Sequence, residues 1–372
     1  MRTLYQLAVL ATVFMLCVAP PATAQEPPGQ QDAVKSLQNK SVLTDEDRAT
    51  LRAWVEERVQ LIVAGEPRDA ATAVKELRRR YAGTDGFKEA YATVSAEMIG
   101  SAYKQAQRDS AARLIAVLNT LNHQASYKLL IDALGDRRVP VRTTAAIGLR
   151  RLQKELVRAG GNVFAESIAA LREAGKRETS PVALQLIYRA MDYTEVGANP
   201  PDPKANALAL LELLEARGEQ YGARSVKAEG ADRPGLELAG KLSGQMDEQG
   251  RQRLIIASAK MLHYGVTQYT SELHKIRDKT SSPVQIALRN RMELFIAATE
   301  ELLVKLTSPE EFRTVTAEMQ EKPEGPKVTD MKIAMDKWAD LLQERYQIDV
   351  HMPVTEPAKE GEADVEKEAP AP

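Results

Sequence analysis

The strongest constraint on the fold of this chain is a pair of adjacent apolar stripes, each with the spacing of an α-helix, separated by a short corner. The first stripe runs from Tyr127 to Leu134 with apolar residues at i, i+3, i+4 and i+7. The corner is GDRRVPVR, residues 135–142, and the second stripe continues from Val141 to Leu156. One helix hairpin cannot bury both apolar faces by itself, so the pattern predicts further helix pairs stacked on this one.

The same periodicity recurs along the chain. Apolar residues at three- and four-residue steps mark 51–62, 87–98 and 331–342, and no segment alternates apolar and polar residues as a strand does. Methionine and aromatic residues at helical spacing are most often core residues, so these stripes do not indicate a cofactor site. We therefore expect an all-α fold.

A repeated segment supports stacked helix pairs. LREAGKRETSPVALQL begins at Leu171 and LHKIRDKTSSPVQIAL begins at Leu273, and both contain Ser-Pro-Val after a basic residue. Pro181 lies 41 residues after Pro140, and Pro283 lies 102 residues further on. Proline suits the first turn of a helix, where its missing N–H is not needed, and a preceding serine caps that turn. We expect Pro140, Pro181 and Pro283 each to open the second helix of a pair.

Residues 132–152, DALGDRRVPVRTTAAIGLRRL, resemble the HEAT repeat, in particular the bacterial form with the loose pattern ALxDxxxxVRxxAAxALxxL. The segments from Leu171 and Leu273 match this pattern less fully, with Ala183 and Gln285 at the position of its arginine. The resemblance implies an irregular α-solenoid of antiparallel helix pairs whose extended surface holds other macromolecules. In that repeat Asp136 and Arg142 stand where residues brace neighbouring units.

The arginines of the corner are the first candidate contact site. Together with Arg150 and Arg151, the residues Arg137, Arg138 and Arg142 form either a stripe that meets phosphate, a sulfated glycan or an acidic peptide, or part of the bracing between repeats. Asp136 is the expected internal partner of Arg142, which leaves Arg137 and Arg138 at the tip of the turn for a ligand. The second candidate is the glycine-rich segment 217–234, where Tyr221 looks exposed and the chain forms either a binding loop or slack.

No recognisable catalytic or metal-binding motif occurs. The only cysteine, Cys17, belongs to the predicted leader, and the four histidines, at 123, 263, 274 and 351, lack the spacing of metal ligands. The chain also lacks a nucleophile elbow, a phosphate-binding loop and a dinucleotide fingerprint. We accordingly expect no catalytic residues, no cofactor and no metal. The alternative left open is an active site formed by carboxylates that are distant in sequence and meet in the fold.

Targeting and tail segments set the domain plan. Residues 1–24 have the form of a secretory signal peptide, with cleavage expected after Ala24, and residues 25–42 read as a flexible linker. Two helical regions follow, 43–198 with the HEAT-like repeats and 199–348 continuing the array, before a disordered acidic tail over 349–372. The mature chain is expected to contain no integral membrane segment and to reside in the periplasm or outside the cell.

Charge narrows the class of partner. The chain has 50 Lys and Arg against 52 Asp and Glu residues, and its acidic tail holds much of the negative excess, so the folded body is near neutral. This balance does not favour bulk nucleic-acid binding. The sequence thus predicts a non-catalytic exported scaffold that binds a protein of the cell envelope. The alternative is a helical enzyme, or a protein that binds a small ligand or an anionic glycan.

Overall fold

The computed structural model describes residues 28–196, 200–223, 225–226, 230–276, 281–309, 314–320 and 328–349. All regular structure in these ranges is helical, in 16 α-helices and three short 3₁₀ turns, which confirms the all-α prediction. The predicted signal peptide and most of the predicted acidic tail lie outside the described residues. The chain divides into two compact units, residues 1–213 and 214–372. This boundary falls in the middle of the helix Pro203–Gly222, about 15 residues beyond the position 198/199 that the sequence suggests.

Unit 1 contains ten complete helices and the first part of an eleventh. They are α1 (Pro28–Leu37), α2 (Asp45–Ala64), α3 (Pro67–Arg80), α4 (Asp85–Tyr103), α5 (Arg108–Leu118), α6 (Gln124–Ala133), α7 (Val139–Arg151), α8 (Gln153–Ala159), α9 (Gly161–Arg177), α10 (Pro181–Met191) and α11 (Pro203–Gly222).

Four helix pairs of unit 1 repeat one packing pattern. Within the pairs, α2 packs on α3, α4 on α5, α6 on α7, and α9 on α10. Between pairs, the first helices contact one another in the order α2, α4, α6, α9, and the second helices contact one another in the order α3, α5, α7, α10. Successive pairs begin at Asp45, Asp85, Gln124 and Gly161, which are 40, 39 and 37 residues apart. We call α2, α4, α6 and α9 the first-helix layer, and α3, α5, α7 and α10 the second-helix layer.

Local sequence signals place the ends of these helices. Thr44 accepts a hydrogen bond from the N–H of Asp47, whose carboxylate accepts one from the Thr44 N–H, so α2 begins with a complete capping box. Ser180 caps α10, with Pro181 as its first residue, and Pro140 lies in the first turn of α7. In both second helices proline therefore stands where a backbone donor is not required.

The core of unit 1 is built from the apolar stripes seen in the sequence. Trp54, Leu77, Phe87 and Leu114 are essentially inaccessible to solvent, and the corner-flanking stripes contribute Leu130, Val141 and Leu149 among others. The Tyr91 ring packs against Trp54 at 6.4 Å between centroids, and its hydroxyl donates to the Leu77 carbonyl at 2.6 Å. Burial of these faces is the main force that joins one pair to the next.

The predicted linker over 25–42 is wrong in part. Residues Pro28–Leu37 form α1, which packs on α2 with Val34 and Leu37 buried. Beyond it, the Thr84 N–H donates to the Gln38 carbonyl at 2.9 Å. Val34 and Leu37 are only two apolar residues one turn apart, and in a segment rich in glutamine and serine so short a pattern does not predict a helix.

Polar side chains brace neighbouring helix pairs across about 40 positions of sequence. Several donate to main-chain carbonyls: Gln38 to Arg80, Arg78 to Ala116, Tyr81 to Asn122, Arg138 to Tyr103 and Ala106, and Gln153 to Arg189, Ala190 and Asp192. Others are ion pairs: Arg52 with Glu97, Arg142 with Glu178, and Arg172 with Glu212. Each pair is thus tied to a neighbour by hydrogen bonds as well as by apolar contact.

Unit 2 contains the last part of α11 and five further helices. They are α12 (Arg233–Leu242), α13 (Glu248–Ser271), α14 (Pro283–Thr307), α15 (Val315–Gln320) and α16 (Val328–Tyr346). The long helices α13 and α14 pack together, α12 lies on α14, and α16 lies on α13. Ser282 and Gln285 form a capping box at the start of α14, with Pro283 as its first residue. Across the described part of the chain, every helix is too short or too polar to cross a bilayer.

Candidate functional site

The corner at 135–142 is an internal joint, and most of its arginine side chains are already bonded. The Arg138 guanidinium binds both carboxylate oxygens of Asp136, at 2.8 and 2.7 Å. It also donates to the carbonyls of Ala106 at 2.6 Å and Tyr103 at 3.1 Å. Only 15% of the side chain is accessible, so Arg138 is not available to a ligand as the sequence suggested. Its position is explained by the unpaired carbonyls at the end of α4, which accept its N–H groups.

Arg142 braces the next helix pair, with a different partner from the one expected. Its Nε and Nη2 atoms donate to the two carboxylate oxygens of Glu178, both at 2.7 Å, and its Nη1 donates to the carbonyls of Asp136 and Arg137. The side chain of Asp136 binds Arg138 instead. The Arg142–Glu178 pair therefore spans 36 residues, from the start of α7 to the residue that ends α9.

The electrostatics of this pair favour the charged form of Glu178. Burial alone raises the pKa of the Glu178 carboxyl, but hydrogen bonds from Arg142 and from the N–H groups of Ser180 and Thr179 outweigh it. The net pKa lies below its ordinary value. Of the three corner arginines, only Arg137 has an exposed side chain. A single exposed arginine does not form an anion site.

Tyr221, which the sequence placed in an exposed loop, is fully buried in unit 2. Residues 217–222 are the last turns of α11, and the buried Tyr221, seven residues after the buried Leu214, continues the apolar face of this helix past Gly218. Arg217 donates from Nε and Nη2 to the carboxylate oxygens of Asp232 at 2.9 and 3.0 Å, and the Tyr221 hydroxyl donates to Asp232 at 2.6 Å. The predicted binding role of Tyr221 is therefore incompatible with its position.

This buried cluster ties the end of α11 to the start of α12. The Tyr221 ring lies 4.7 Å from that of Tyr264 and 5.1 Å from that of Phe295, between centroids. Burial, together with the charge of Asp232, raises the pKa of Tyr221 well above its ordinary value. A neutral phenol that donates to a buried carboxylate is a structural element here, since neither group reaches solvent.

A second buried carboxylate, Glu300, holds α15 and α16 on α14. It accepts hydrogen bonds from the N–H groups of Val315 and Thr316, both at 2.7 Å, and from the Trp338 ring N–H at 2.6 Å. Its two oxygens are thus occupied by donors of the protein itself. A carboxylate surrounded in this way holds helices together, and no local sequence pattern reveals the contact because its partners lie 15 to 38 residues away.

The histidines do not gather into a site. His123 caps α6 by accepting from the N–H of Ala125, and His274 lies beyond the end of α13, so it does not share a helical face with His263. His351 is outside the described residues. Within the described ranges, no three His, Cys, Asp or Glu side chains are arranged to hold a metal ion.

A cleft of about 370 Å³ lies between α13 and α16. Val266, Met335 and Ala339 form its apolar floor, and His263, Lys332 and Asp336 contribute polar groups. Lys332 and Asp336 are one turn apart on α16 while His263 is on α13, so no sequence motif joins them. One imidazole, one carboxylate and one ammonium group border this cleft, which opens to solvent.

The outer face of the second-helix layer in unit 1 is an accessible surface with a regular structure. Between the pair-bracing residues, each helix has small or aliphatic side chains at its surface: Ala71 on α3 and Val182 on α10 are exposed, and Ala112 and Ala116 on α5 and Ile147 on α7 are half-buried. Because the helices contact one another in sequence order, these positions form one continuous face. We take this face as the candidate functional site.

Comparison of the chain with protein-family models, with curated proteins and with solved structures gave no significant match.

Proposed function

We propose that this protein is an exported, non-catalytic scaffold that holds a partner protein of the cell envelope on the second-helix layer of unit 1. The observation that carries the proposal is the repeated stacking of helix pairs, in which first helices contact first helices and second helices contact second helices. Stacks of this kind present long regular faces suited to extended macromolecular partners.

The fold proposed with this function is an irregular HEAT-like α-solenoid. Its support is the spacing of 37 to 40 residues between the starts of successive pairs, together with the HEAT-like pattern at 132–152. The inter-pair braces keep the spacing of the helices fixed. A rigid layer loses little conformational entropy when a partner binds.

The proposal of export rests on the leader at residues 1–24. Fractionation of the native host, followed by intact-mass measurement of the purified chain, tests it directly. We expect recovery in the periplasm or medium with Gln25 as the first residue. A cytoplasmic chain that retains residues 1–24 contradicts export.

A site-specific photocrosslinker tests the scaffold role. We place it at Ala71 of α3 and Ala112 of α5, in the second-helix layer, and at the exposed Ala49 of α2 and Thr93 of α4 as matched controls in the first-helix layer. Ala71, Ala49 and Thr93 are exposed and Ala112 is half-buried, so circular dichroism of each variant checks that folding is preserved. After irradiation of intact cells, crosslinked species are identified by mass spectrometry.

The expected result is that one protein is crosslinked at both Ala71 and Ala112, and not at Ala49 or Thr93. Equal crosslinking at all four positions contradicts binding by the second-helix layer. The absence of any recurrent partner at all four contradicts the scaffold function itself. An enzyme of this fold would instead be expected to lose activity when the cleft of unit 2 is filled, for example by Thr267→Trp, with no effect on crosslinking.

A further inference from the structure

The two helix layers of unit 1 differ sharply in charge. The second-helix layer, α3, α5, α7 and α10, contains eleven Lys and Arg residues and three Asp and Glu residues. The first-helix layer, α2, α4, α6 and α9, contains eight basic and eleven acidic residues. The near neutrality of the whole chain therefore conceals a basic face and a mildly acidic one.

The excess positive charge lies on the surface of the second-helix layer. Seven cations make no ion pair or side-chain hydrogen bond within the described residues: Arg68, Lys75, Arg79 and Arg80 on α3, Arg113 on α5, Arg151 on α7, and Arg189 on α10. All are exposed except Arg80 and Arg113, which are half-buried, and the Arg80 guanidinium lies over the Trp54 ring. Of the three acidic residues on the four helices, Glu76 pairs with Arg58, Asp69 is half-buried, and Asp109 lies 4.0 Å from Arg108. Charges that have no internal partner are free to interact with an anion.

The residues between these cations indicate the class of anion. They are small or aliphatic, as described above for Ala71, Ala112, Ala116, Ile147 and Val182. None of the outward positions on the four helices carries an aromatic ring, whereas surfaces that bind single-stranded nucleic acid commonly stack bases on aromatic side chains. A surface of arginine, alanine and valine is instead complementary to a polypeptide in which carboxylates alternate with small apolar side chains. The carboxylates would meet the arginines, and the apolar side chains would meet the alanines and valines.

We propose that the partner of the second-helix layer contributes an acidic, alanine- or valine-containing segment, which lies across α3, α5, α7 and α10 with its carboxylates on the unpaired cations. This inference rests on the proposed scaffold function and specifies the chemistry of its partner. The expected spacing follows from helix packing. Neighbouring helices are about 8 to 10 Å apart, and three residues of extended chain span about 10 Å. A carboxylate at every third residue therefore meets one helix after another.

A labelled 15-residue peptide with Glu at every third position and Ala or Val elsewhere is the probe. Its binding to the full mature chain is measured by fluorescence anisotropy at 50 mM and 200 mM salt. A peptide with Gln in place of each Glu tests the requirement for charge. Heparin, a single-stranded oligonucleotide and vesicles with anionic lipid are measured alongside as the other classes of anion.

The test variant neutralises one unpaired cation on each of three adjacent second helices, R79Q/R113Q/R151Q. The control variant neutralises three cations of the first-helix layer that make no ion pair in the described residues, R48Q/K128Q/R177Q. Both variants change the net charge equally, and both include substitutions in the last turn of a helix, at Arg79 and Arg151 or at Arg177. Circular dichroism establishes that each is folded.

We expect R79Q/R113Q/R151Q to weaken peptide binding about tenfold at 50 mM salt, because three charge contacts of the strength usual at a protein surface combine to about one decade in affinity. The control variant should bind the Glu-containing peptide with an affinity within about twofold of that of the parent chain. The Gln peptide should bind neither the parent chain nor the control variant. If the triple variant does not fold, the parent chain provides the test. Its peptide binding should weaken when the salt is raised from 50 mM to 200 mM, and it should be lost when each Glu of the peptide is replaced by Gln.

Equal weakening by the two variants overturns the inference, because it indicates a response to net charge alone. Binding of heparin, oligonucleotide or anionic vesicles without binding of the acidic peptide also overturns it. If a protein partner crosslinks at Ala71 and Ala112 but its crosslinking is unchanged in R79Q/R113Q/R151Q, the scaffold function stands and the acidic-segment inference fails.

Discussion

Removal of the Glu178 charge should destabilise unit 1 through a single inter-pair brace. In Glu178→Gln, the amide oxygen keeps the position that accepts from Thr179, Ser180 and Arg142 Nη2, while the amide NH₂ group faces the Arg142 Nε–H. One charged hydrogen bond is lost and the guanidinium loses its counter-ion. A hydrogen bond to a charged group contributes about 1.5 to 3 kcal/mol. With side-chain exposures of 1% for Glu178 and 15% for Arg142, solvent screens little of it, so we expect a loss of about 2 to 3 kcal/mol.

The matched control is Glu173→Gln on the same helix. The Glu173 carboxylate contacts Arg172 and Lys176 but is 47% exposed, so its loss should cost at most about 0.5 kcal/mol. Urea unfolding followed by circular dichroism compares the two variants with the parent chain. Because repeat arrays can unfold in steps, hydrogen exchange of the Thr179 and Ser180 amides gives a local measure of the same change. If the two variants unfold at the same urea concentration, the proposed bracing role of Glu178 is wrong.

The pH dependence supplies a further check on this pair. The pKa of Glu178 is lower in the folded chain than its ordinary value of 4.5, so the charged form stabilises the fold at pH values above that ordinary value. This contribution is lost as the pH falls through the lowered pKa of the folded state. The stability difference between the parent chain and Glu178→Gln should accordingly be constant near neutral pH and shrink below about pH 4. A difference that grows on acidification contradicts the assigned role.

Three other substitutions test the packing inside unit 1 or inside unit 2. Gly175→Ala places a Cβ atom 2.7 Å from Leu213 Cδ2, so overpacking should exceed the gain in helix propensity and lower the melting temperature, at a cost of about 1 kcal/mol. Gly240→Ala, whose Cβ meets nothing closer than 3.8 Å, should instead stabilise by about 0.5 kcal/mol or more; destabilisation there would contradict the packing of α12. Asp232→Asn should cost about 3 kcal/mol or more in urea unfolding because it removes the negative charge that faces the buried Arg217, and a cost below 1 kcal/mol would show that the pair is not buried in solution.

Helix content and helix-pair order follow from the sequence because they depend on short-range patterns. The stripes from Tyr127 to Leu134 and from Val141 to Leu156 predict two helices, and Pro140 and Pro181 mark the first turns of second helices. Helix α1 was missed since its buried side chains, Val34 and Leu37, form only one step of a periodic pattern.

The roles of individual polar residues could not be predicted in the same way. Arg138 and Arg142 are both arginines of one turn, yet one reaches back to α4 and the other reaches forward to Glu178. Tyr221 lies in a glycine-rich segment that reads as a loop, but it is buried by Tyr264 and Phe295, which are far away in sequence. In each case the deciding partner is separated by tens of residues and belongs to no local motif.

The charge difference between the two helix layers could not be predicted from the composition of the chain either. The 50 basic and 52 acidic residues nearly cancel over the chain, and only the assignment of each helix to a layer separates them. Arg79, Arg113 and Arg151 occupy three different helices and share no motif. The sequence pointed to the arginines between 137 and 151 because they are dense in sequence, whereas Arg79 and Arg113 are assigned to the same layer as Arg151 only by the fold.

The braces that end on carbonyl groups bear on how such a chain can change over evolutionary time. Gln38, Arg78, Arg138 and Gln153 bind the peptide groups of the neighbouring helix pair, which every amino acid supplies. The hydrogen bonds therefore do not depend on the side chains at the receiving positions, such as Ala106 and Ala116. An ion pair such as Arg142–Glu178 instead requires both partners to be kept together. Neighbouring units joined mainly through their backbones can diverge in sequence while their spacing stays the same, so family resemblance can fade from most of a chain whose architecture is intact.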